Sequence, residues 1–179
     1  MDGEATNPFL DDVLAGLSAR RKAIPSRWLY DARGSQLFDE ITELDEYYPT
    51  RTELKILTGQ ARDMANAIGP DAVIVEYGAG SLMKVRILLD ALEAPRAFVP
   101  VDISSEHLEA SANELRAFYP DLDIYPVASD FMASNLGASL PEGGRRRAGF
   151  FPGSTMGNLL DREIDRFLKT TREDLGDEA

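Results

Sequence analysis

Val73-Ile-Val-Glu-Tyr-Gly-Ala-Gly-Ser81 is the stretch whose reading decides the fold. An apolar run ends in an acid, Glu76, passes through a small-residue turn and leads into a helical pattern. Short apolar runs between turn signals are typical of strands buried on both faces of a parallel sheet. Gly78 and Gly80 let the backbone turn sharply and approach a ligand. The shape is that of a nucleotide-binding first strand and its loop, with a plain tight turn as the simpler alternative. The third glycine of G-x-G-x-x-G is missing, because position 83 is Met. A pyrophosphate cofactor is therefore disfavoured.

Downstream, strands and helices alternate. A helix is expected over 81–92 with Val85, Leu88, Leu89 and Leu92 inward. Ala97–Val101 reads as strand two; Pro100 is awkward in a central strand, so a short or bulged strand is expected there. A helix over 105–118, capped by Ser104 or Ser105, leads to strand three at Leu122–Val127. Ala148–Phe151 is strand four, and a last helix covers 161–173. This alternation predicts an α/β fold with a parallel, doubly wound sheet. Such sheets bind ligands at the carboxyl ends of their strands.

Upstream, the periodicity is helical. Residues 8–22 carry Phe9, Val13, Leu14 and Leu17 at helical spacing. A second helix is expected over 35–44, capped by Ser35. A third is expected over 51–68, capped by Thr50 with Glu53 at capping-box spacing. Its buried stripe is Leu54, Leu57, Ala61, Met64, Ala65 and Ile68. Gly69-Pro70 ends it. Residues 1–70 thus read as a helical cap and 71–179 as the ligand-binding domain.

Composition narrows the chemistry. The 179 residues suffice for one core, and the net charge of −12 argues against a nucleic-acid partner. The exception, Arg145-Arg146-Arg147, reads as a solvated loop before strand four. The absence of cysteine excludes disulfides and thiolate chemistry, and the single histidine, His107, makes a histidine metal site or triad improbable. No apolar run approaches the ~18 residues of a membrane span, and the acidic start lacks a signal pattern. These features predict a cytoplasmic protein without metal.

The strand ends carry the candidate site. Asp102 closes strand two, where a carboxylate can accept both hydroxyls of a ribose; its alternative role is to cap the next helix. Asp130-Phe131 closes strand three and suits an adenine, by hydrogen bond and by ring packing, although Phe131 could be simple core. Lys84, one turn into the first helix of the domain, can reach back toward a methionine carboxylate or remain a solvated helix lysine. Together these describe an adenosine site without a phosphate cradle, which fits S-adenosyl-L-methionine better than a dinucleotide. After strand four, Asn158 offers one acceptor and two donors to a small amino acid, although its loop could equally be structural.

Five motifs, Trp28-Leu-Tyr-Asp-Ala-Arg-Gly-Ser35, Glu46-Tyr-Tyr-Pro-Thr-Arg51, Glu76-Tyr-Gly-Ala-Gly-Ser81 with Lys84, Pro100-Val-Asp-Ile-Ser104 and Phe150-Phe-Pro-Gly-Ser-Thr-Met-Gly-Asn158, stand in order along the chain. Together they resemble the histidine-specific Nα-methyltransferase family, which makes trimethylhistidine (hercynine) on the way to ergothioneine. The resemblance covers roughly residues 20–168. It implies a Rossmann-like class I methyltransferase sheet of about four parallel strands, S-adenosyl-L-methionine as cofactor and histidine as substrate. It also implies that Tyr30 and Tyr47 line the amino-acid pocket and that Asn158 holds the substrate's α-amino and carboxylate end. Gly78, Lys84, Asp102, Asp130 and Phe131 match the family's cofactor positions. Family members are longer, so the resemblance further implies that the imidazole-reading segment and the rest of the sheet lie outside these residues. Strand four is then an edge, in a monomer or beside an unknown partner chain that completes the sheet.

Overall fold

Every residue of β1, Ala72–Tyr77, is buried, as an unbroken apolar strand requires when both its faces are covered. In the computed structural model, which describes residues 7–29, 31–80, 82–132, 136–177 and 179, β1 pairs in parallel with β2, Ala97–Asp102, and with β5, Arg146–Phe150. Two short strands, β3 (Asp123–Ile124) and β4 (Val127–Ala128), pair in parallel with the far side of β2. The order is β3-β2-β1-β5, with β4 also on β2. The chain thus moves outward from β1 and then crosses back to β5 on its other side. That reversal opens a crevice at the carboxyl ends of the strands.

Alternate residues of a strand face opposite sides, and β1 divides its side chains accordingly. Val73, Val75 and Tyr77 join Val99, Val101, Phe167 and Leu175 on one face. Ile74 packs with Val85, Leu88, Leu89, Phe98, Ala112 and Leu115 on the other. Helix α6 (Asp161–Leu175) therefore covers the first face, and α4 (Leu82–Leu89) and α5 (Ser105–Phe118) cover the second. This is the expected doubly wound α/β sandwich of about four parallel strand positions.

Pro100 does not shorten or bulge β2, which runs through it. The Phe98 carbonyl accepts from Tyr125 N–H and the Asp102 carbonyl from Ser129 N–H. Backbone groups alternate along a strand, so Pro100 faces the same flank. Phe98 pairs with Ile124 and Asp102 with Ala128; at the same offset Pro100 stands opposite Pro126. The missing N–H thus falls where the partner strand is itself interrupted. What the sequence suggested as one strand three is two short segments in a single register.

The arginine run also departs from expectation. β5 begins at Arg146, two residues before the predicted start. Arg146 donates to the Ala67 carbonyl at 2.9 Å, and Arg147 donates to the Asp174 carbonyl at 2.9 Å and the Pro141 carbonyl at 3.3 Å. These two guanidiniums tie α6 and the end of a helix to the sheet rather than being merely solvated. Gly144, at φ +82, makes the entry possible. A Cβ there would stand 3.1 Å from both the Asp71 carbonyl oxygen and Val73 Cγ2. Gly144→Ala is expected to cost about 2 kcal/mol, from left-handed backbone strain and overpacking against a fixed carbonyl. Denaturant unfolding checks this, and a change within experimental error would contradict it.

The chain forms two compact units, Met1–Thr50 and Arg51–Ala179. In the first, α1 is Pro8–Ser18, with Asn7 Oδ1 accepting from Leu10 N–H at 3.2 Å. It stops short of the expected residue 22 because the chain folds back and Ala23 N–H donates to the Gly16 carbonyl. Asp12 accepts from Trp28 Nε1 at 2.8 Å and pairs with Arg27. Helix α2 is Ala32–Thr42, earlier than expected, because Asp31 rather than Ser35 is the cap and accepts from Gly34 N–H at 2.7 Å. Helix α3 runs Tyr48–Ile68 and continues into the second unit. Thr50 lies inside it, so the expected Thr50–Glu53 capping box does not form.

Candidate functional site

The turn after β1 is fixed from beneath. Gly78 and Ala79 both donate to the Val101 carbonyl, at 2.9 and 3.1 Å, so the loop is anchored to the end of β2. Gly80 N–H closes back on the Gly78 carbonyl at 2.8 Å. The Gly80 carbonyl lies 3.0 Å from His107 Nε2 of α5. The lone histidine therefore braces the glycine turn, a role that its position in the sequence did not signal.

Asp102 ends β2 beside this turn. Its Oδ1 accepts from Ser104 N–H at 3.0 Å, which leads the chain into α5. Ser104 is the N-cap residue but makes no side-chain cap bond of its own. Asp130 is built the same way: its Oδ1 accepts from Met132 N–H at 2.9 Å. Both carboxylates are thus held by short local loops, and both are partly buried.

Glu76 is the buried acid of the site, only 2% exposed. Burial pushes its carboxyl up to about 8; the Lys84 ammonium works against that shift and the Asp102 carboxylate adds to it. Near pH 7 the group is therefore mostly a neutral acid, and it adds little charge to a crevice already holding Asp102 and Asp130.

Phe131 joins a four-ring cluster with Tyr77, Phe151 and Phe167. Its centroid lies 6.2 Å from Tyr77, 5.3 Å from Phe151 and 5.8 Å from Phe167, all edge to face. Side chains from β1, the segment after β4, the end of β5 and α6 thus pack into one apolar block under the loops. A Cβ on Gly78 would lie 3.8 Å from the Phe131 ring, so the predicted aromatic does meet the glycine turn.

Lys84 is not simply solvated. Its Nζ lies 2.7 Å from Glu53 Oε2, with the two side chains 15% and 25% exposed. Glu53 Oε1 accepts from Gly153 N–H at 2.6 Å. The acid that sequence spacing offered as a capping residue therefore links α3, α4 and the loop after β5. Asn158 ends the short helical turn Thr155–Asn158 that follows this loop. It is exposed.

Within the second unit, then, Gly78, Gly80, Lys84, Asp102, Asp130, Phe131 and Asn158 all belong to segments at the carboxyl ends of β1, β2, β4 and β5. Tyr47 lies in the first unit, edge to face with Phe38 at 6.0 Å, and Tyr30 lies outside the described residues. A cavity of about 490 Å³ flanks the glycine turn on the α4–α5 side, lined by Gly80, Met83, Arg86, His107 and Glu114 among others. Asp102, Asp130 and Asn158 do not line it.

The donor set fits S-adenosylmethionine. Asp102 and Asp130 are carboxylates at strand ends, each held by a backbone N–H of its own loop. The Lys84 ammonium has three donors, of which Glu53 takes one. Among the described residues no helix is long and apolar enough to cross a membrane.

Residues 9–179 match the family described as histidine-specific methyltransferase, SAM-dependent. The chain is 44% identical over 167 residues to the histidine N-alpha-methyltransferase of Mycolicibacterium smegmatis, covering 92% of this chain and 51% of that protein. It is 42% identical over 160 residues to the protein of the same name from Mycobacterium tuberculosis, covering 88% of this chain and 49% of that one. The chain thus spans about half the length of these relatives. In fold it is similar to N,N-8-amino-8-demethyl-D-riboflavin dimethyltransferase from Streptomyces davawensis, with a TM-score of 0.50 at 16% identity over 93% of this chain and 47% of that one. On the extent of the family match and the identity to these relatives, the chain belongs to the histidine-specific, S-adenosylmethionine-dependent methyltransferase family.

Proposed function

We propose that these residues carry the cofactor half of an S-adenosylmethionine-dependent N-methyltransferase that methylates the α-amine of L-histidine to trimethylhistidine, in ergothioneine biosynthesis. Residues 71–179 are the cofactor-binding domain. The observation that carries the reading is the convergence of the Gly78–Gly80 turn, Lys84, Asp102 and Asp130 at the carboxyl ends of a parallel sheet, beside the reversal of strand order. The compartment is the cytoplasm, and the partner is a small amino acid rather than nucleic acid or membrane.

Asp102 accepts the ribose hydroxyls, Asp130 and Phe131 hold the adenine, and Lys84 receives the methionine carboxylate. The bound cofactor supplies an electrophilic methyl group on a sulfonium. Asn158 takes the acceptor's α-amino and carboxylate end, its amide offering one acceptor and two donors, and presents the amine's lone pair to that methyl group. Catalysis comes mainly from this positioning. The amine gives its proton to water, so no strong general base is required. Glu76, neutral near pH 7, adds no carboxylate that would compete with Asp102 for the ribose or with the ligand carboxylate for Lys84.

The test incubates the purified chain with S-adenosylmethionine and L-histidine and follows mono-, di- and trimethylhistidine by mass spectrometry, with L-tryptophan as a rival acceptor. Methylated histidine is expected, and Asn158→Ala should lower its rate at least tenfold. Folded protein that binds cofactor but methylates neither amino acid would support the second reading, a cofactor-binding module without catalysis. Methylation of tryptophan alone would keep the reaction and change the acceptor.

A further inference from the structure

Glu53 touches both sides of the site. One carboxylate oxygen meets Lys84 at 2.7 Å, and the other accepts from Gly153 N–H at 2.6 Å. Lys84 comes from the helix after β1, on the cofactor side. Gly153 opens the loop that ends in Asn158, on the acceptor side. This loop begins with two consecutive left-handed residues, Gly153 at φ +90 and Ser154 at φ +60. A serine there is strained and must be held by its surroundings. The Glu53 bond to Gly153 N–H holds the residue just before it. A Cβ on Gly153 would also come within 3.3 Å of Lys84 Nζ, so the loop packs directly against the lysine.

Resting on the cofactor reading above, we infer that Glu53 is a positioning residue that couples a ligand carboxylate at Lys84 to the conformation of the loop presenting Asn158. The carboxylate bridges two hydrogen-bond donors, so a shift of the ammonium toward a second carboxylate moves Glu53 and, through it, the Gly153 amide. Cofactor and acceptor sites are then linked by one ion pair and one backbone bond, in a partly desolvated setting where such charge-assisted bonds are strongest. Neither residue needs to touch the acceptor for this to act.

Amide exchange followed by NMR tests the coupling on the full chain, with β1 residues 72–77 as an internal control. Without ligand, Glu53→Ala is expected to speed exchange at Gly153 at least tenfold and leave β1 unchanged. Glu53→Gln keeps an oxygen that can accept from Gly153, so its ligand-free exchange should stay close to wild type. S-adenosylmethionine should slow exchange across 153–158 in wild type, less in Glu53→Gln, and not at all in Glu53→Ala or Lys84→Met. Unchanged Gly153 exchange in Glu53→Ala, or equal protection by cofactor in Glu53→Ala and wild type, would overturn the inference. Faster exchange throughout β1 as well would reduce Glu53 to a general stability role and overturn it too. Absence of calorimetric heat from wild type with S-adenosylmethionine would instead remove the cofactor reading, and the coupling with it. Heat with no loop protection would remove the coupling alone.

Discussion

Asp102→Ala is expected to weaken S-adenosylmethionine binding about a hundredfold or more. Hydrogen bonds to a charged group contribute roughly 1.5–3 kcal/mol each, and a decade of affinity is about 1.4 kcal/mol. Two ribose hydroxyls on one carboxylate therefore correspond to at least two decades. The same side chain holds Ser104 N–H at 3.0 Å, so the alanine variant also loosens the start of α5. Asp102→Asn separates the two roles. It can keep the bond to Ser104 through its amide oxygen while losing the charge, and should lose about tenfold in affinity with little change in stability. Calorimetric titration combined with thermal unfolding checks both variants. A destabilised alanine variant with undiminished affinity would make Asp102 only the leader of α5.

Glu76→Gln is expected to abolish a pH dependence of stability that the wild type shows between about pH 4.5 and 8. The folded carboxyl is pushed up to about 8 from an ordinary 4.5, mainly by burial. The folded state therefore holds the proton more tightly than the unfolded state. Its contribution to stability is fully present below pH 4.5 and is lost as pH rises through 8. At about 1.4 kcal/mol for each pKa unit, the loss reaches at most about 5 kcal/mol. Glutamine copies the neutral acid and has no proton to lose, so the stability difference between variant and wild type should widen by several kcal/mol from pH 5 to pH 8. Denaturant unfolding at the two pH values measures it. Other titrating groups are common to both proteins and cancel. Parallel pH profiles would show that Glu76 is not the buried neutral acid described above.

The sheet was legible because its signal is local. An apolar run closed by Glu76 and a glycine turn can be little else than a buried parallel strand, and the stripe of α3 and the inward residues of α4 followed from spacing alone. Helix starts were less legible. Asp31 and Ser35 are both good caps, and only the fold of the preceding chain decides between them. Pro100 looked like a defect because sequence shows one strand at a time. Its harmlessness depends on Pro126 across the ladder, a pairing fixed only once register is known.

The candidate site divides in the same way. Glycines and acids at strand ends could be marked in advance because the architecture fixes where ligands bind. Glu53 could not, since its partners Lys84 and Gly153 come from two other segments of the chain. Its spacing from Thr50 suggested a local cap, and a tertiary ion pair took the side chain instead. The role of His107 against the Gly80 carbonyl was hidden for the same reason. Arg146 and Arg147 read as solvated because charge runs usually are. Nothing local marked the carbonyls of Ala67, Pro141 and Asp174 as their partners.

The strand ends around the Gly78–Gly80 turn are proposed as the site for S-adenosylmethionine. Calorimetric titration of the purified, folded chain with S-adenosylmethionine tests it most directly. Saturable one-to-one binding is expected, weakened about a hundredfold by Asp102→Ala. A folded protein that gives no binding heat with S-adenosylmethionine, and no shift in thermal unfolding at saturating ligand, would contradict it.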